Sequence, residues 1–259
     1  MGKIIAVANQ KGGVGKTTTS VNLSYALNKA GKRTLLVDSD PQGNATSSMG
    51  IDKNSLRAGT YDVIINGADP KKTVVKTRYG DVLPSNKALS GAVIELVTMD
   101  EREYVLKKSL EILRSDYDYI IIDCPPSLEL LTLNGLVAAD SVLIPVQCEY
   151  FALEGLSDLM NTVRLIKKRL NPALDIEGVV LTMFDGRTNF SSQVASEVKR
   201  FFKEKVFSAV IPRNVRLSEA PSHGKPVLAY DASSKGSAAY VQLAAELIKR
   251  NDVKKGTVR

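Results

Sequence analysis

The sequence predicts an α/β fold: a mostly parallel, twisted sheet of six to eight strands with helices on both faces. Short apolar runs rich in β-branched residues alternate along the chain with longer segments of helical periodicity. Several of these runs are continuously apolar, which is typical of strands buried on both faces. The chain has 259 residues, enough for one domain, which we assign to residues 1–250, followed by a basic, flexible tail over 251–259.

The first strand and the first helix are joined by a glycine-rich loop. An apolar run at 4–8 precedes it, the sequence KGGVGKT occupies 11–17, and a helical pattern follows. This order is the setting of a phosphate-binding loop, because glycines let backbone N–H groups surround an anion and the helix N-terminus adds free donors. Lys16 would then reach the β- and γ-phosphates of a nucleotide, and the Thr17 hydroxyl would bind Mg²⁺.

The loop departs from the usual phosphate-loop pattern at two places. Gln10 stands where that pattern has glycine, and a second lysine, Lys11, stands at the front. This variant resembles the deviant Walker A ATPases, and the resemblance implies ATP and Mg²⁺ as cofactors. It also implies that Lys11 acts in trans on a nucleotide bound by a partner subunit, adding positive charge at the γ-phosphate. The residues implied to bind the phosphates are Lys11, Gly12, Gly13, Val14, Gly15, Lys16, Thr17 and Thr18.

The next buried strand, at 33–38, leads into the sequence DSDPQ. Its end lies at the sheet edge where parallel α/β folds place their ligands. In the deviant Walker A family the second acid of this motif helps to position the attacking water, and Asp40 is the match. Asp38 is expected to support the loop or to lie in the outer shell of the Mg²⁺ ion. With Lys11 and Lys16, Asp40 completes the predicted catalytic set.

A third strand, at 117–123, ends in Asp123 and resembles a Walker B motif. Asp123 would orient the water shell of Mg²⁺ across from Thr17. No glutamate follows Asp123, so the usual base is missing, and we expect slow hydrolysis that depends on Asp40 and on a partner.

The remaining periodicity predicts further elements and a buried stripe. Strands are expected near 81–84 and at 141–146, 176–183 and 206–211, and helices over 101–115, from Ser127, and over 154–170, 189–204 and 238–248. The buried stripe of the helix over 189–204 is expected to comprise Phe190, Val194, Val198, Phe201 and Phe202.

Positive charge is concentrated in the C-terminal part of the chain. Residues 1–163 hold 17 basic and 19 acidic side chains, whereas residues 164–259 hold 18 and 9. This asymmetry indicates a polyanionic partner. The helix over 189–204 presents Lys199, Arg200 and Lys203 away from its apolar stripe. Without any sequence-reading motif, DNA binding would depend on phosphate contacts and ignore sequence.

Four segments, at 11–18, 38–44, 119–126 and 211–226, together resemble the ParA/Soj-type chromosome-partitioning ATPases. The resemblance implies an ATP-dependent homodimer in the cytoplasm that coats the nucleoid by binding double-stranded DNA non-specifically. It also implies a ParB-like partner that stimulates hydrolysis. By the same resemblance Arg187 and Arg216 contact DNA, and Pro212 and Asn214 border the adenine.

Three other functions are weighed against this one. A membrane-surface ATPase of the MinD type needs a C-terminal amphipathic anchor, whereas the segment 238–248 is typical of a helix packed on the domain; we therefore expect no stable membrane association. An iron–sulfur carrier needs grouped thiolates, but the two cysteines, Cys124 and Cys148, are expected to be buried packing residues. A DNA-coating protein without turnover would not need Lys16, Thr17, Asp40 and Asp123 together.

Overall fold

The computed structural model describes residues 2–127, 129–149 and 152–257, with only the backbone for 152–155 and 254–257. Within these residues the chain forms seven strands: β1 Lys3–Val7, β2 Thr34–Asp38, β3 Val75–Thr77, β4 Gly80–Leu83, β5 Tyr119–Asp123, β6 Ser141–Gln147 and β7 Asp175–Thr182. The larger helices are α1 Lys16–Lys29, α5 Leu89–Leu96, α6 Val105–Leu113, α7 Leu130–Ala138, α8 Ala152–Arg169, α9 Asn189–Phe202 and α12 Lys235–Thr257. Shorter helices are α2 Asn44–Ser48, α3 Thr60–Ile64, α4 Pro70–Thr73, α10 Val215–Glu219 and α11 Val227–Tyr230.

The strands form one sheet in the order β3-β4-β2-β5-β1-β6-β7. The pairings are parallel apart from that of β3 with β4, which is antiparallel. The register sets Val7 beside Asp123 and Asp38 beside Asp123, so the carboxyl ends of β1, β5 and β2 lie level. The loop after β1 therefore starts next to two strand-end aspartates, at the edge where open α/β sheets bind ligands.

The sheet is buried on both faces, as its apolar runs predict. Alternate residues of each central strand enter two different cores: Ile4 and Ile120 pack on one side, and Ile5 and Ile121 on the other, all fully buried. One core lies under α5 to α9 and the other under α1, α2, α11 and α12. The predicted fold class, a mostly parallel sheet with helices on both faces, is confirmed.

Residues 206–211 do not form the strand that the sequence predicts. The segment makes two backbone bonds to β7, from Phe207 N to Val179 O and from Ile211 N to Leu181 O, each 2.8 Å long. Between them, the N–H groups of Ser208 and Ala209 donate to the Glu246 carboxylate of α12. Because a side chain takes these donors, the ladder is interrupted.

Two helices start later than the sequence predicts. The helix expected over 101–115 begins at Val105, because Glu101 has a φ of 52° that lies outside the helical region. The helix expected from Ser127 begins at Leu130, after an extended Glu129.

The buried stripe predicted for α9 is wrong at two aromatic positions. Val194, Val198 and Phe202 are buried, but Phe201 is 64% exposed and Phe190 is 41% exposed. Phe201 lies beside Phe202 on the outer side, with ring centroids 5.1 Å apart. The core holds one ring at this end of the helix, and two adjacent positions cannot both face it.

The sequence predicts a separate tail from residue 251, but α12 continues through Thr257. Asn251 explains why the helix does not end there. Its side chain is buried and donates to Glu177 of β7 and to the Leu247 carbonyl, with both distances 3.0 Å. None of the helices in the described ranges is long and apolar enough to cross a membrane.

Candidate nucleotide-binding site

The loop between β1 and α1 is held open at the carboxyl edge of the sheet. The Asn9 side chain anchors it. Its amide nitrogen donates to the Pro145 carbonyl at 2.8 Å, and its oxygen accepts from Lys11 N at 3.0 Å. Gly13 and Gly15 have φ angles of 76° and 88°, a region that favours glycine. These two residues let the chain reverse direction before the helix begins at Lys16.

The start of α1 offers a set of free backbone donors. Its first intrahelical bond runs from Thr19 N to Gly15 O over 2.9 Å, and no side chain caps this end. The N–H groups of residues 15–18 form no hydrogen bond with any other described residue. Free amides at a helix N-terminus bind anions, so the backbone fits the phosphates of a nucleotide.

Lys16 lies buried among these donors and the strand-end acids. Its Nζ donates to the Lys11 carbonyl at 2.9 Å, and only 7% of the residue is exposed. Burial lowers the pKa of Lys16, while the nearby carboxylates of Asp123 and Asp40 act in the opposite direction. A bound polyphosphate would supply a stronger counter-charge to this buried cation.

Asp38 and Asp123 are both fully buried on neighbouring strands, but their hydrogen bonding differs. Asp38 accepts from Thr46 N at 2.8 Å, Thr46 Oγ1 at 2.6 Å and Asp40 N at 3.2 Å. Asp123 accepts from Ser20 Oγ at 2.8 Å through one oxygen, and its Oδ2 is buried without a hydrogen-bond partner among the described residues. Burial raises the pKa of both groups, and for Asp123 the neighbouring Asp38 raises it further. Asp38 is therefore a satisfied structural acid, whereas Asp123 has unused acceptor capacity.

This difference fits the predicted magnesium site. The unpaired Oδ2 of Asp123 is the kind of oxygen that Mg²⁺ or its bound water requires, and the Thr17 hydroxyl lies close to the same carboxylate. Asp123 and Thr17 are the residues that would hold the ion. Asp38 already accepts hydrogen bonds from Thr46 and Asp40, and its role at the loop or in the outer shell of Mg²⁺ stays a prediction.

Asp40 is held in a defined position beside the phosphate loop. It is 8% exposed, one carboxylate oxygen accepts from Gln42 N at 2.9 Å, and its carbonyl accepts from Ser85 Oγ at 2.8 Å. Its charge acts on Lys16 and Asp123, which places the three groups together. An acid restrained in this way can orient a water molecule next to a bound phosphate.

Lys11 makes a contact that the sequence did not predict. Its ammonium group pairs with Glu149, which follows β6, and both side chains remain about one-third exposed, at 33% and 39%. The two residues are 138 positions apart, so no local pattern could have indicated the pair. Ser20 and Thr46, which bind the buried acids, were also missed, because hydroxyl residues near a loop give no distinctive signal.

The two predicted adenine-bordering residues follow the segment 206–211, and one of them pairs with the chain just after β7. Pro212 forms an isolated bridge with Phe184, and the Asn214 side chain caps α10 by accepting from Arg216 N at 2.9 Å. Contact of Pro212 and Asn214 with adenine stays a prediction.

The predicted DNA-contacting residues all lie at the surface, and the arginines are paired with acids. Arg187 makes two side-chain bonds to Asp185, at 2.9 and 2.6 Å. Arg216 contacts Glu219 at 2.7 Å and Asp231 at 3.3 Å, and Arg200 lies 3.9 Å from Glu197. Lys199 and Lys203 are exposed at the C-terminal end of α9. The structure shows a charged surface here but no arrangement specific to DNA.

The fold and the site define a nucleotide-binding protein of the deviant Walker A class. A family model described as an AAA domain matches residues 2–176. Sporulation initiation inhibitor protein Soj of Bacillus subtilis is 60% identical over 251 residues, 95% of this chain and 98% of that protein. Chromosome partitioning protein ParA of Myxococcus xanthus is 54% identical over 98% of this chain and 90% of that protein. The chain belongs to the Soj/ParA family of chromosome-partitioning ATPases, so the predicted family is confirmed.

Solved structures agree with this assignment. The crystal structure of cobyrinic acid a,c-diamide synthase from Mycobacterium smegmatis with bound ADP and magnesium has a TM-score of 0.86 and 39% identity, covering 97% of this chain and 96% of that one. Cell division ATPase MinD of Pyrococcus furiosus has a TM-score of 0.79 and 29% identity, covering 96% and 99%. Because proteins with such different names share one fold, function must be argued from the site and from sequence identity.

Proposed function

We propose that this chain is an ATP-dependent switch that segregates a chromosome or plasmid. ATP and Mg²⁺ bind at the phosphate loop, and two chains close into a sandwich dimer around the nucleotides. The dimer binds double-stranded DNA non-specifically in the nucleoid, and a ParB-like protein stimulates hydrolysis, which releases it. The observation that carries this proposal is the buried group of Lys16, Asp40 and Asp123 beside a helix start whose amides at 15–18 bond to no other described residue. The chain is also closely related to partitioning proteins.

The site supports slow hydrolysis by a single chain. Asp40 can orient water, but the second cation of the loop, Lys11, is paired with Glu149 of its own chain. Charge stabilisation at a transferring phosphoryl group is a large catalytic contribution. A partner chain that directs its own Lys11 to the γ-phosphate would supply that charge, which makes turnover depend on the dimer.

Gly12 supports a close approach of a second chain. A Cβ built on Gly12 would meet nothing within 4 Å, and its φ lies outside the left-handed region. The isolated chain therefore has no steric need for glycine at this exposed position. A partner packed against the loop would create that need, so Gly12→Val should fold normally and fail to dimerise.

The proposed DNA-binding surface comprises Arg187, Lys199, Arg200, Lys203 and Arg216. Each phosphate contact contributes about 0.9 to the slope of log affinity against log salt. A dimer presents the set twice, so its affinity is higher and its salt dependence is steeper than those of the monomer. This difference links ATP binding to DNA binding without any change in the basic surface itself.

The test is duplex DNA binding by Asp40→Ala with ATP, with ADP or without nucleotide, at several salt concentrations. Asp40→Ala should bind ATP and hydrolyse it very slowly, which holds the dimer state. We expect DNA binding that requires ATP, ignores sequence and falls steeply with salt. Gly12→Val in the same background is the matched control, and it should lose the ATP-dependent binding.

Two outcomes would contradict the proposal. Equal DNA binding under all three nucleotide conditions would mean that the basic surface acts without the dimer. No DNA binding, together with ATP-dependent binding to anionic liposomes, would support a MinD-type membrane-surface ATPase that positions the division site.

A further inference from the structure

The last residue of β7, Thr182, contacts the phosphate loop. Its hydroxyl donates to the Val14 carbonyl over 2.8 Å, although the two residues are 168 positions apart. Both are 2% exposed. The nearest atoms to a Cβ built on Gly15 would be Cγ2, Cβ and Oγ1 of Thr182, at 3.7 to 4.0 Å. The Thr182 side chain thus lies directly against the Val14–Gly15 peptide.

That contact fixes the orientation of one peptide plane. In a trans peptide the C=O and the following N–H point in opposite directions. Since the Val14 carbonyl is directed at Thr182, the Gly15 N–H points away from β7. This N–H forms no hydrogen bond with another described residue, and it stands immediately before Lys16 at the start of α1. Gly15 has a φ of 88°, and glycine is free to rotate, so the peptide needs an external contact to fix it.

Thr182 is itself rigidly held. Its carbonyl accepts from Cys148 N at 3.3 Å, and within the sheet it pairs with Gln147 of β6. The chain then turns at Met183, which has a φ of 50°, and Phe184 N donates to the Ile211 carbonyl over 3.1 Å. A hydroxyl fixed on a sheet strand can preorganise a loop more firmly than another loop residue could.

We propose that Thr182 is a positioning residue for phosphate binding, holding the Val14 carbonyl so that the Gly15 N–H stays aimed at the anion. The inference rests on the proposed nucleotide site and does not depend on DNA binding. Without the hydroxyl, the Val14–Gly15 peptide can rotate, and the loop must be reordered each time a nucleotide binds. The effect therefore falls on nucleotide affinity rather than on the chemical step.

The test compares Thr182→Val and Thr182→Ser with the unchanged chain. Valine keeps the shape and removes the hydroxyl, so we expect the Kd and the KM for ATP to rise about three- to tenfold, the worth of one hydrogen bond. The kcat at saturating ATP should stay within about twofold. Serine keeps the donor and should restore ATP affinity to within about twofold of the unchanged chain.

Thr34→Val is the matched control. Thr34 is a buried strand residue whose hydroxyl also donates to a backbone carbonyl, that of Lys32, at 3.2 Å, but at the opposite edge of the sheet. It should lower the thermal midpoint without changing the Kd for ATP. If Thr182→Val does not fold, Thr182→Ala removes the same hydroxyl with less bulk, and the same comparison applies.

Unchanged ATP affinity in a folded Thr182→Val, or no recovery in Thr182→Ser, would overturn the inference. The measurements use ATP without DNA. A chain that binds ATP and shows the Thr182 effect, yet binds no DNA, would overturn the proposed partitioning function and support the role of Thr182.

Discussion

The phosphate-loop edge and the basic surface of α9 and α10 are built in opposite ways. At the loop edge, Lys16, Asp38, Asp40 and Asp123 are all at most 8% exposed. Asp40 is bonded by Ser85, 45 positions away, and Asp123 by Ser20, 103 positions away. On the basic surface, Arg187 is 88% exposed and is held by an acid two residues away. Tertiary contacts therefore hold Asp40 and Asp123 of the first region, whereas Arg187 and Arg200 of the second pair with acids two or three residues away. Arg216 pairs both with the nearby Glu219 and with Asp231.

The difference shows which function each region can perform alone. A buried, prearranged set of charges can stabilise a ligand strongly, because water does not compete and no reordering is needed. Exposed charges interact through water and salt, so each contributes little and the total depends on how many act together. Single substitutions should therefore have large effects at the loop edge and small effects on the basic surface.

Lys16→Ala should have the largest effect. Lys16 is a buried cation at the start of α1, and removing it leaves Asp40 and Asp123 without its positive charge. We expect ATP binding to weaken by about 100-fold or more, by analogy with removal of a preorganised electrostatic donor. Isothermal titration with ATP and Mg²⁺ would measure it. Lys29→Ala, on the last turn of the same helix, is the control, and retained ATP binding in Lys16→Ala would contradict the assigned site.

Asp123→Asn should separate magnesium binding from stability. We expect the gain in ATP affinity on adding Mg²⁺ to fall about 10- to 100-fold, because the unpaired carboxylate oxygen is lost. Without metal, burial raises the pKa of Asp123 above its unfolded value. The folded chain then binds the extra proton, so its stability falls as pH rises from about 4 towards the raised pKa. Asparagine has no charge to bury and should flatten this decline.

Thermal unfolding in EDTA at pH 5 and pH 8 would measure the pH dependence of Asp123→Asn. Ser20→Ala is the control, since it removes the bond to Asp123 and keeps the carboxylate. An unchanged decline of stability with pH in Asp123→Asn would assign the buried proton to Asp38 instead.

The sequence reveals the motifs of the loop edge, whose roles stay predictions, because each motif is continuous in the chain. Glycines that need positive φ, a lysine at the helix start and acids at strand ends are each visible in a short stretch, and a parallel sheet brings the strand ends together. The register of Asp38 beside Asp123 follows from that topology. The same reasoning could not predict that Thr46 would satisfy Asp38 while Asp123 kept a free oxygen, because hydrogen bonds between distant side chains leave no pattern.

The other errors also have long-range causes. The strand expected at 206–211 is interrupted because Glu246, from α12, takes two of its amides. Residues after 250 stay helical because Asn251 is buried against Glu177. The spacing of apolar residues predicts that Phe201 is buried, yet only its neighbour Phe202 packs in the core. Periodicity defines which residues can face inward, and packing decides which of them do.

The smallest expected effect on a measured property is that of the Arg187 ion pair on DNA affinity. It tests whether acids next to the basic residues weaken DNA binding. Hydrogen bonds from Arg187 lower the pKa of Asp185 to about 2, so the acid remains charged at neutral pH and competes with a DNA phosphate for the guanidinium group. Asp185→Asn removes that charge and keeps the shape of the side chain. We expect it to strengthen ATP-dependent DNA binding about two- to fivefold at low salt and to steepen the salt slope by about one per chain.

Arg187→Ala should shift both quantities in the opposite direction, because one phosphate contact is lost and nothing in the buried site changes. DNA affinity against salt concentration, measured for both variants in the Asp40→Ala background, compares them directly. If Arg187→Ala weakens binding and Asp185→Asn has no effect, the arginine already leaves Asp185 when DNA binds. If neither variant changes the slope, Arg187 lies outside the DNA interface, and the surface must be redefined around Lys199 and Lys203. Only opposite shifts of similar size in the two variants would show that the ion pair with Asp185 limits the contribution of Arg187 to DNA affinity.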